Sequence, residues 1–161
     1  MIIKNGLVID PASGFSEKMD LLIEDGIIKE MATQITKEGE DVLDATGFVV
    51  APGLIDTHVH FRDPGFTYKE TIHTGALASA KGGFTSVICM ANTSPTVDSV
   101  PVLRDNLERA SKEKIRIFQA ASISCNLKGQ EETDMDALKE AGACLTQEHT
   151  EASGNAPYIK V

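Results

Sequence analysis

Residues 54–65 read LIDTHVHFRDPG, and this stretch decides the fold of the second part of the chain. A short apolar run leads into His58 and His60, which are two residues apart, and Arg62 follows at the same spacing. In an extended strand, residues two apart point to the same side. The pattern therefore predicts a strand that presents two imidazoles, and with them a guanidinium, at its C-terminal end. Two imidazoles can contribute to a divalent-metal site, and a guanidinium can bind an anion.

Strand and helix signals alternate downstream of this stretch. We predict strands at 54–60, 85–90 and 115–123, and helices at 68–81, 99–113 and 133–141. Thr67 and Glu70 have the spacing of a capping box, and Gly82 would end the first helix. Alternating strands and helices predict a parallel sheet with right-handed crossovers.

Parallel strands of this kind carry functional groups at their C-terminal ends. The histidine pair follows the first predicted strand, and Asn92 lies in the loop 91–98 after the second. If the two strands are neighbours, both loops face the same pocket. This convergence predicts an active site.

The first 51 residues have a different pattern, made of short apolar runs and turn dipeptides. Asn5-Gly6 and Asp25-Gly26 each separate two apolar runs, which predicts two β-hairpins, and Thr46-Gly47 marks a third turn. The segment is therefore predicted to be a small antiparallel β unit. The chain as a whole is expected to be of the α/β class.

The composition is that of an ordinary soluble globular protein. The 161 residues are 42% hydrophobic and 24% charged, which is enough for a real core. A net charge of -9 without a basic patch argues against a nucleic-acid partner. Neither a membrane-spanning run nor a signal-peptide pattern is present, so we expect a cytoplasmic protein without membrane contact. The cysteines Cys89, Cys125 and Cys144 form no CxxC pair and are expected to be reduced thiols that are either buried or without a function.

Four segments together resemble dihydroorotase, a member of the amidohydrolase superfamily. They read PGLIDTHVHFRDPG at 52–65, KETIHTG at 69–75, GGFTSV at 82–87 and MANTSP at 90–95. The histidine pair alone would fit many amidohydrolases. The Arg-Asp-Pro-Gly sequence and the Asn-Thr-x-Pro loop favour dihydroorotase over hydantoinase or allantoinase. The likeness extends from residue 1 to about residue 144.

The resemblance implies a partial TIM-type (β/α) barrel over residues 52–144, preceded by residues 1–51 as one share of a β-sandwich. It implies zinc bound by His58 and His60, and a small-molecule substrate contacted by His60, Arg62 and Asn92. The substrate would be dihydroorotate, whose carboxylate Arg62 and Asn92 would bind. The reaction would be the reversible hydrolysis of a cyclic amide to N-carbamoyl-aspartate in pyrimidine (UMP) synthesis.

The resemblance also implies groups that the sequence does not supply. A metal-bridging aspartate is expected after Cys144, where Leu145-Thr146-Gln147-Glu148 stands, and two further histidines and the catalytic aspartate belong to later strands. No residue of this chain is therefore assigned as catalytic. A complete barrel needs roughly 200 residues or more. Residues 145–161 resemble a much later segment of the family, so we expect a truncated or internally deleted barrel with little turnover of its own.

Two other functions remain open. The chain could be a noncatalytic dihydroorotase-like subunit that binds a transcarbamoylase or another partner, or it could form homo-oligomers through its open strand edges. It could also be another cyclic amidohydrolase, such as allantoinase or hydantoinase.

The individual site residues also have plainer interpretations. The two histidines could make ordinary hydrogen bonds at a strand end. Arg62 could pair with Asp63 or Glu70, and Asn92 could be a turn residue.

The remaining histidines and one nearby carboxylate carry weaker predictions. Asp56 could orient His58 or His60. His73 is expected to be structural or solvent-facing. His149 could bind a metal only opportunistically.

Overall fold

The computed structural model describes residues 1–147, which fall into two compact units, Met1–Pro52 and a second unit that begins at Gly53. The first unit contains β1 (Ile2–Asp10), β2 (Phe15–Glu24), β3 (Ile27–Ala32), β4 (Val42–Asp44) and β5 (Val49–Val50). The sheet order is β3-β2-β1-β4, and β5 also pairs with β1. The three long strands are antiparallel, as predicted, whereas the short β4 and β5 run parallel to β1.

The hairpin predicted at Asp25-Gly26 is confirmed, because both residues have positive φ, 51° and 72°, and connect β2 to β3. The hairpin predicted at Asn5-Gly6 is wrong. Both residues lie inside β1, where the pairing with β2 shifts register, and Asn5 has a φ of 63°. Asn5 therefore adopts its left-handed conformation in a β-bulge, and not in the hairpin turn predicted from the sequence. A Cβ on Gly6 would lie 2.5 Å from Cγ2 of Val50, so glycine is needed for β5 to approach β1.

The core of the first unit includes Ile2, Leu22 and Ile35. Asp20 is buried beside it, and its carboxylate accepts the backbone N–H groups of Asn5 at 2.9 Å and Ile35 at 3.0 Å. Burial raises the pKa of Asp20, but these hydrogen bonds outweigh it and the net pKa is lowered.

The second unit contains β6 (Leu54–Val59), α1 (Ile72–Lys81), β7 (Phe84–Cys89), α2 (Val100–Ala110), β8 (Arg116–Ser122), α3 (Met135–Glu140) and β9 (Leu145–Gln147). The strands form one parallel sheet in the order β6-β7-β8-β9. Each of the first three strands is followed by a helix. The predicted partial (β/α) barrel is therefore confirmed, and β9 adds a fourth strand whose residues the sequence analysis assigned to the tail. Residues 148–161, including His149, lie outside the described part.

The first helix begins later than predicted. Its N-cap is Thr71, whose side chain accepts the N–H of Thr74 at 3.0 Å, while the Thr71 N–H donates to Thr74 Oγ1 at 3.1 Å. The capping box predicted at Thr67 and Glu70 is therefore wrong. The preceding residues form a separate turn, in which the Lys69 N–H donates to the Phe66 carbonyl at 2.8 Å. Gly82 ends the helix as predicted.

The helices cover one face of this sheet through two apolar clusters. One includes Phe61, Ile72, Ala76, Val87, Cys89 and Ile115; the other includes Ala91, Val97, Leu103, Ala121 and Leu138. Val59 packs against the first cluster. Since side chains alternate along a strand, His58 lies on the face opposite to the helices. Within residues 1–147, no helix is both long enough and apolar enough to cross a bilayer.

Candidate active site at the ends of β6 and β7

The structure brings the two predicted metal ligands together at the C-terminal end of β6. The ring centroids of His58 and His60 are 5.0 Å apart, and the rings meet edge to face at 71°. His58 is exposed and His60 is half-buried. Asp56 accepts the backbone N–H of His58 at 3.0 Å, and thereby restrains the strand where the first imidazole projects.

The next loop joins this pair directly. The Met90 N–H donates to the Val59 carbonyl at 2.9 Å, so β6 and β7 end side by side. Asn92, two residues further on, places its Oδ1 2.8 Å from Nδ1 of His60. An amide oxygen can only accept, so the shared proton is on Nδ1. In the neutral ring, Nε2 then carries the lone pair that a metal needs, and the Asn92 NH2 group keeps donors for an anion.

Arg62 follows the histidines in an unusual backbone conformation. Its φ is 48°, and its carbonyl accepts the Phe66 N–H at 2.9 Å, which closes a tight loop. The ion pairs considered for Arg62 are wrong. Asp63 binds Arg109 of α2, and Glu70 accepts the hydroxyl of Thr74. Among residues 1–147 the Arg62 guanidinium makes no ion pair.

Two loops that carry these groups touch through their backbones. The Ser94 N–H donates to the Pro64 carbonyl at 3.1 Å. Gly65 has a φ of 91°, and a Cβ there would lie 2.1 Å from the Ser94 carbonyl oxygen. Glycine at this position therefore lets the loop with Arg62 approach the loop with Asn92.

The contact made by Arg109 was not predicted from the sequence. This residue lies in the last turn of a helix, where an arginine ordinarily interacts with the helix dipole or with an acid one turn earlier. No local pattern signals that it reaches Asp63, which is 46 residues away. His73, by contrast, is exposed as expected and pairs with Glu113 at 3.1 Å.

The thiols take no visible part in the site. Cys89 is buried as expected, and burial raises its pKa to about 12. Cys125 is half-buried and Cys144 is exposed, and both are free thiols; burial raises the pKa of each as well. Over residues 1–147, no three His, Cys, Asp or Glu side chains converge as a complete metal site. His58 and His60 are therefore two candidate metal ligands without a third beside them in the described residues.

Comparison with known proteins agrees with this geometry. The profile of a family described as "Dihydro-orotase-like" matches residues 47–152. The chain belongs to the dihydro-orotase-like family. This confirms the resemblance inferred from the histidine, arginine and asparagine motifs.

Curated members of this dihydro-orotase-like family are similar over most of the chain. The dihydroorotase of Streptococcus pneumoniae serotype 4 is 56% identical over 143 residues, which are 89% of this chain and 34% of that protein. The dihydroorotase of Clostridioides difficile is 50% identical over 143 residues, 88% of this chain and 34% of that protein. The chain thus spans about a third of the length of these relatives.

Solved structures share the fold of this dihydro-orotase-like chain. An L-hydantoinase (dihydropyrimidinase) from Arthrobacter aurescens matches with a TM-score of 0.71 and 23% identity over 90% of this chain and 32% of its own. A D-hydantoinase matches with a TM-score of 0.66 and 25% identity over 89% of this chain and 38% of its own. The likeness supports the partial (β/α) barrel fold described above.

Proposed function

We propose that this chain forms the N-terminal part of a dihydroorotase active site, which hydrolyses the cyclic amide of dihydroorotate reversibly to N-carbamoyl-aspartate. The observation that carries the proposal is the hydrogen bond from His60 to Asn92 at the ends of two adjacent parallel strands. This hydrogen bond joins His60, a candidate metal ligand, to Asn92, a candidate substrate-binding residue. The curated relatives named dihydroorotase support the same reaction.

His58 and His60 would hold zinc, with His60 binding through Nε2. Zinc sites in hydrolases use three or more protein ligands, so these histidines would supply part of the set. When bound, the metal supplies an activated water and polarises the carbonyl that is attacked. The bond from Nδ1 of His60 to Asn92 is the kind of outer contact that fixes the ring and its tautomer in metal sites.

Arg62 and Asn92 would bind the carboxylate of the substrate. The guanidinium offers two parallel N–H donors, and the Asn92 NH2 group offers a third, while the amide oxygen is engaged by His60. A carboxylate only accepts hydrogen bonds, so every proposed contact pairs a donor with an acceptor. This complementarity favours a ring that bears a carboxylate.

We further propose the wider setting that the family implies. Residues 1–51 would be one share of a β-sandwich, residues 52–144 the first barrel units, and residues 145–161 a segment like one found later in the family. The protein would act in pyrimidine synthesis in the cytoplasm. Association with a second copy or a transcarbamoylase remains a proposal, supported only by the open edge of β6, where Leu54 and Ile55 are 54% and 66% exposed.

Two measurements on the gene product at its natural length test the proposed function. Calorimetric titration with Zn²⁺ is expected to show a site that H58A and H60A each weaken at least about tenfold. H73A is the matched control, because His73 is exposed and pairs with Glu113 instead. Equal zinc binding by the wild type, H58A and H60A would contradict the ligand assignment.

The second measurement is turnover with zinc present. Dihydroorotate, hydantoin and allantoin are offered in parallel, and dihydroorotate is expected to be the preferred substrate. Preference for either of the other rings would assign the chain to another cyclic amidohydrolase. Absence of turnover together with a stable transcarbamoylase complex would instead favour a noncatalytic subunit.

A further inference from the structure

We propose that Arg109 is a positioning residue, which acts through Asp63 to hold Arg62 in the geometry that binds the substrate carboxylate. The inference rests on the proposed function and adds to it a residue from α2, remote in sequence. It starts from the conformation of Arg62. A φ of 48° is unfavourable for an arginine, and contacts between this loop and its surroundings help to maintain it.

The residue after Arg62 provides those contacts. Asp63 is only 13% exposed, and one of its carboxylate oxygens binds Nη1 of Arg109. The other oxygen accepts the N–H of Ile72, the first residue of α1, at 3.4 Å. The Arg62 loop is thus tied to two helices immediately beside the strained residue.

Arg109 is itself held in place. Its Nη2 donates to Asp105 Oδ2 at 2.6 Å and to Asn106 Oδ1 at 2.9 Å. Asp105 and Asn106 both lie on α2, so these hydrogen bonds fix the orientation of the guanidinium relative to that helix. The same guanidinium binds Asp63. A planar group held on several sides transmits position better than a flexible ion pair on the surface.

The same network reaches the second substrate loop. Buried Asn106 donates to Gln119 Oε1 at 3.4 Å, and Gln119 donates to the carbonyls of Cys89 at 3.0 Å and Met90 at 3.4 Å. Those carbonyls lie at the end of β7, directly before Asn92. Arg109 and Asn106 therefore link the loop that contains Arg62 with the end of the strand that precedes Asn92.

A positioning role for Arg109 predicts a loss of substrate preference, and not only a loss of overall activity. If Arg109 fixes Arg62, its removal should weaken recognition of the carboxylate more than it weakens ring hydrolysis. The ratio of kcat/KM for dihydroorotate to kcat/KM for dihydrouracil, the same ring without the carboxylate, measures this preference. A merely structural role would lower both values in proportion.

The first experiment needs no activity. Hydrogen exchange is measured on the gene product at its natural length for the wild type, R109Q and R104Q. Arg104 is exposed on the same helix and makes no ion pair among residues 1–147, so R104Q controls for the loss of a charge from α2. R109Q is expected to speed exchange at Phe66 and Ile72 at least about tenfold, and R104Q to leave it unchanged. Unchanged exchange in R109Q overturns the inference.

D63N provides a second variant if R109Q does not fold. It keeps the shape of the side chain and an acceptor for Ile72, but removes the charge that Arg109 binds. It is expected to speed exchange at Phe66 as R109Q does, and unchanged exchange there counts equally against the inference.

The second experiment is kinetic. R109Q is expected to reduce the preference for dihydroorotate over dihydrouracil at least about tenfold, mainly through KM, and R109K to recover part of it. Proportional losses on both rings overturn the positioning role. A wild type that hydrolyses neither ring refutes the proposed function and this role with it. A wild type active on dihydroorotate, with an unaltered preference in R109Q, refutes the role of Arg109 alone.

Discussion

Replacing Gly65 with alanine would place a methyl group where two loops meet backbone to backbone. The new Cβ would lie 2.1 Å from the Ser94 carbonyl oxygen and 2.6 Å from Ser94 Cβ. Contacts this short cannot persist, and the nearest obstacle is backbone rather than a movable side chain. The loop that carries Arg62 must therefore separate from the loop that carries Asn92.

The size of the effect follows from three contributions. The φ of 91° costs alanine about 1–2 kcal/mol relative to glycine. Overpacking costs about 1–3 kcal/mol, and loss of the bond from the Ser94 N–H to the Pro64 carbonyl costs about 0.5–1.5 kcal/mol. We expect G65A to lower the free energy of unfolding by the sum of these contributions, about 2.5–6.5 kcal/mol.

Gly83 provides a matched control in the same unit. Its φ is 84°, close to that of Gly65, but no atom of the described residues lies within 4 Å of a Cβ placed there. G83A therefore measures the backbone cost without the overlap. Urea unfolding should show G65A less stable than G83A by about 2 kcal/mol or more, and hydrogen exchange should show a faster Ser94 amide in G65A alone. Equal destabilisation by the two variants, with the Ser94 amide still protected, would refute the reasoning.

Three further predictions concern separate parts of the chain. N92A removes the acceptor for Nδ1 of His60 and should weaken zinc binding about 10–100-fold by calorimetry, whereas N92D keeps an acceptor and should not; equal loss in both would contradict the outer-contact role. D20A should cost about 2–4 kcal/mol of unfolding free energy at pH 7, because two backbone N–H groups lose a charged acceptor. The pKa of Asp20 is lowered below 3.8 in the folded state, so its contribution is present above that pH and is lost as the pH falls through the folded value. Urea titrations at pH 7 and pH 3 should therefore show a smaller difference between wild type and D20A at pH 3, and a larger one would count against this. In the native protein, an aromatic disulfide reagent at pH 8 should react with exposed Cys144 and spare Cys89, whose pKa of about 12 and burial both protect it; rapid labelling of Cys89 would contradict the packing.

Much of the fold could be predicted because its signals are local. The apolar run before His58, the glycine at position 82 and the Asp25-Gly26 dipeptide each determine the conformation of a few neighbouring residues. The incorrect predictions of local structure arose where one sequence pattern is compatible with two conformations. Asn5-Gly6 has the backbone preference of a hairpin turn, but the approach of β5 selects a bulge instead.

The start of α1 shows the same limit. Thr67 and Thr71 both precede helix-compatible residues, so spacing alone does not choose between them. The choice falls on Thr71, where Thr74 returns the hydrogen bond and where Asp63 accepts the N–H of the next residue. The contact with Asp63 forms only when the loop that contains Asp63 has folded against the start of α1.

The sequence by itself determined the alternation of strands and helices and the common direction of the two histidines, because both follow from a repeat of a few residues along one strand. The tertiary structure decided which groups meet at the site. His60 meets Asn92 across 32 residues, and Asp63 meets Arg109 across 46. Neither contact has a local signature, since each exists only when parallel strands bring their ends and the following helix together. The HVHFRD stretch therefore identifies the family, while the contacts around it show how Arg62 is held.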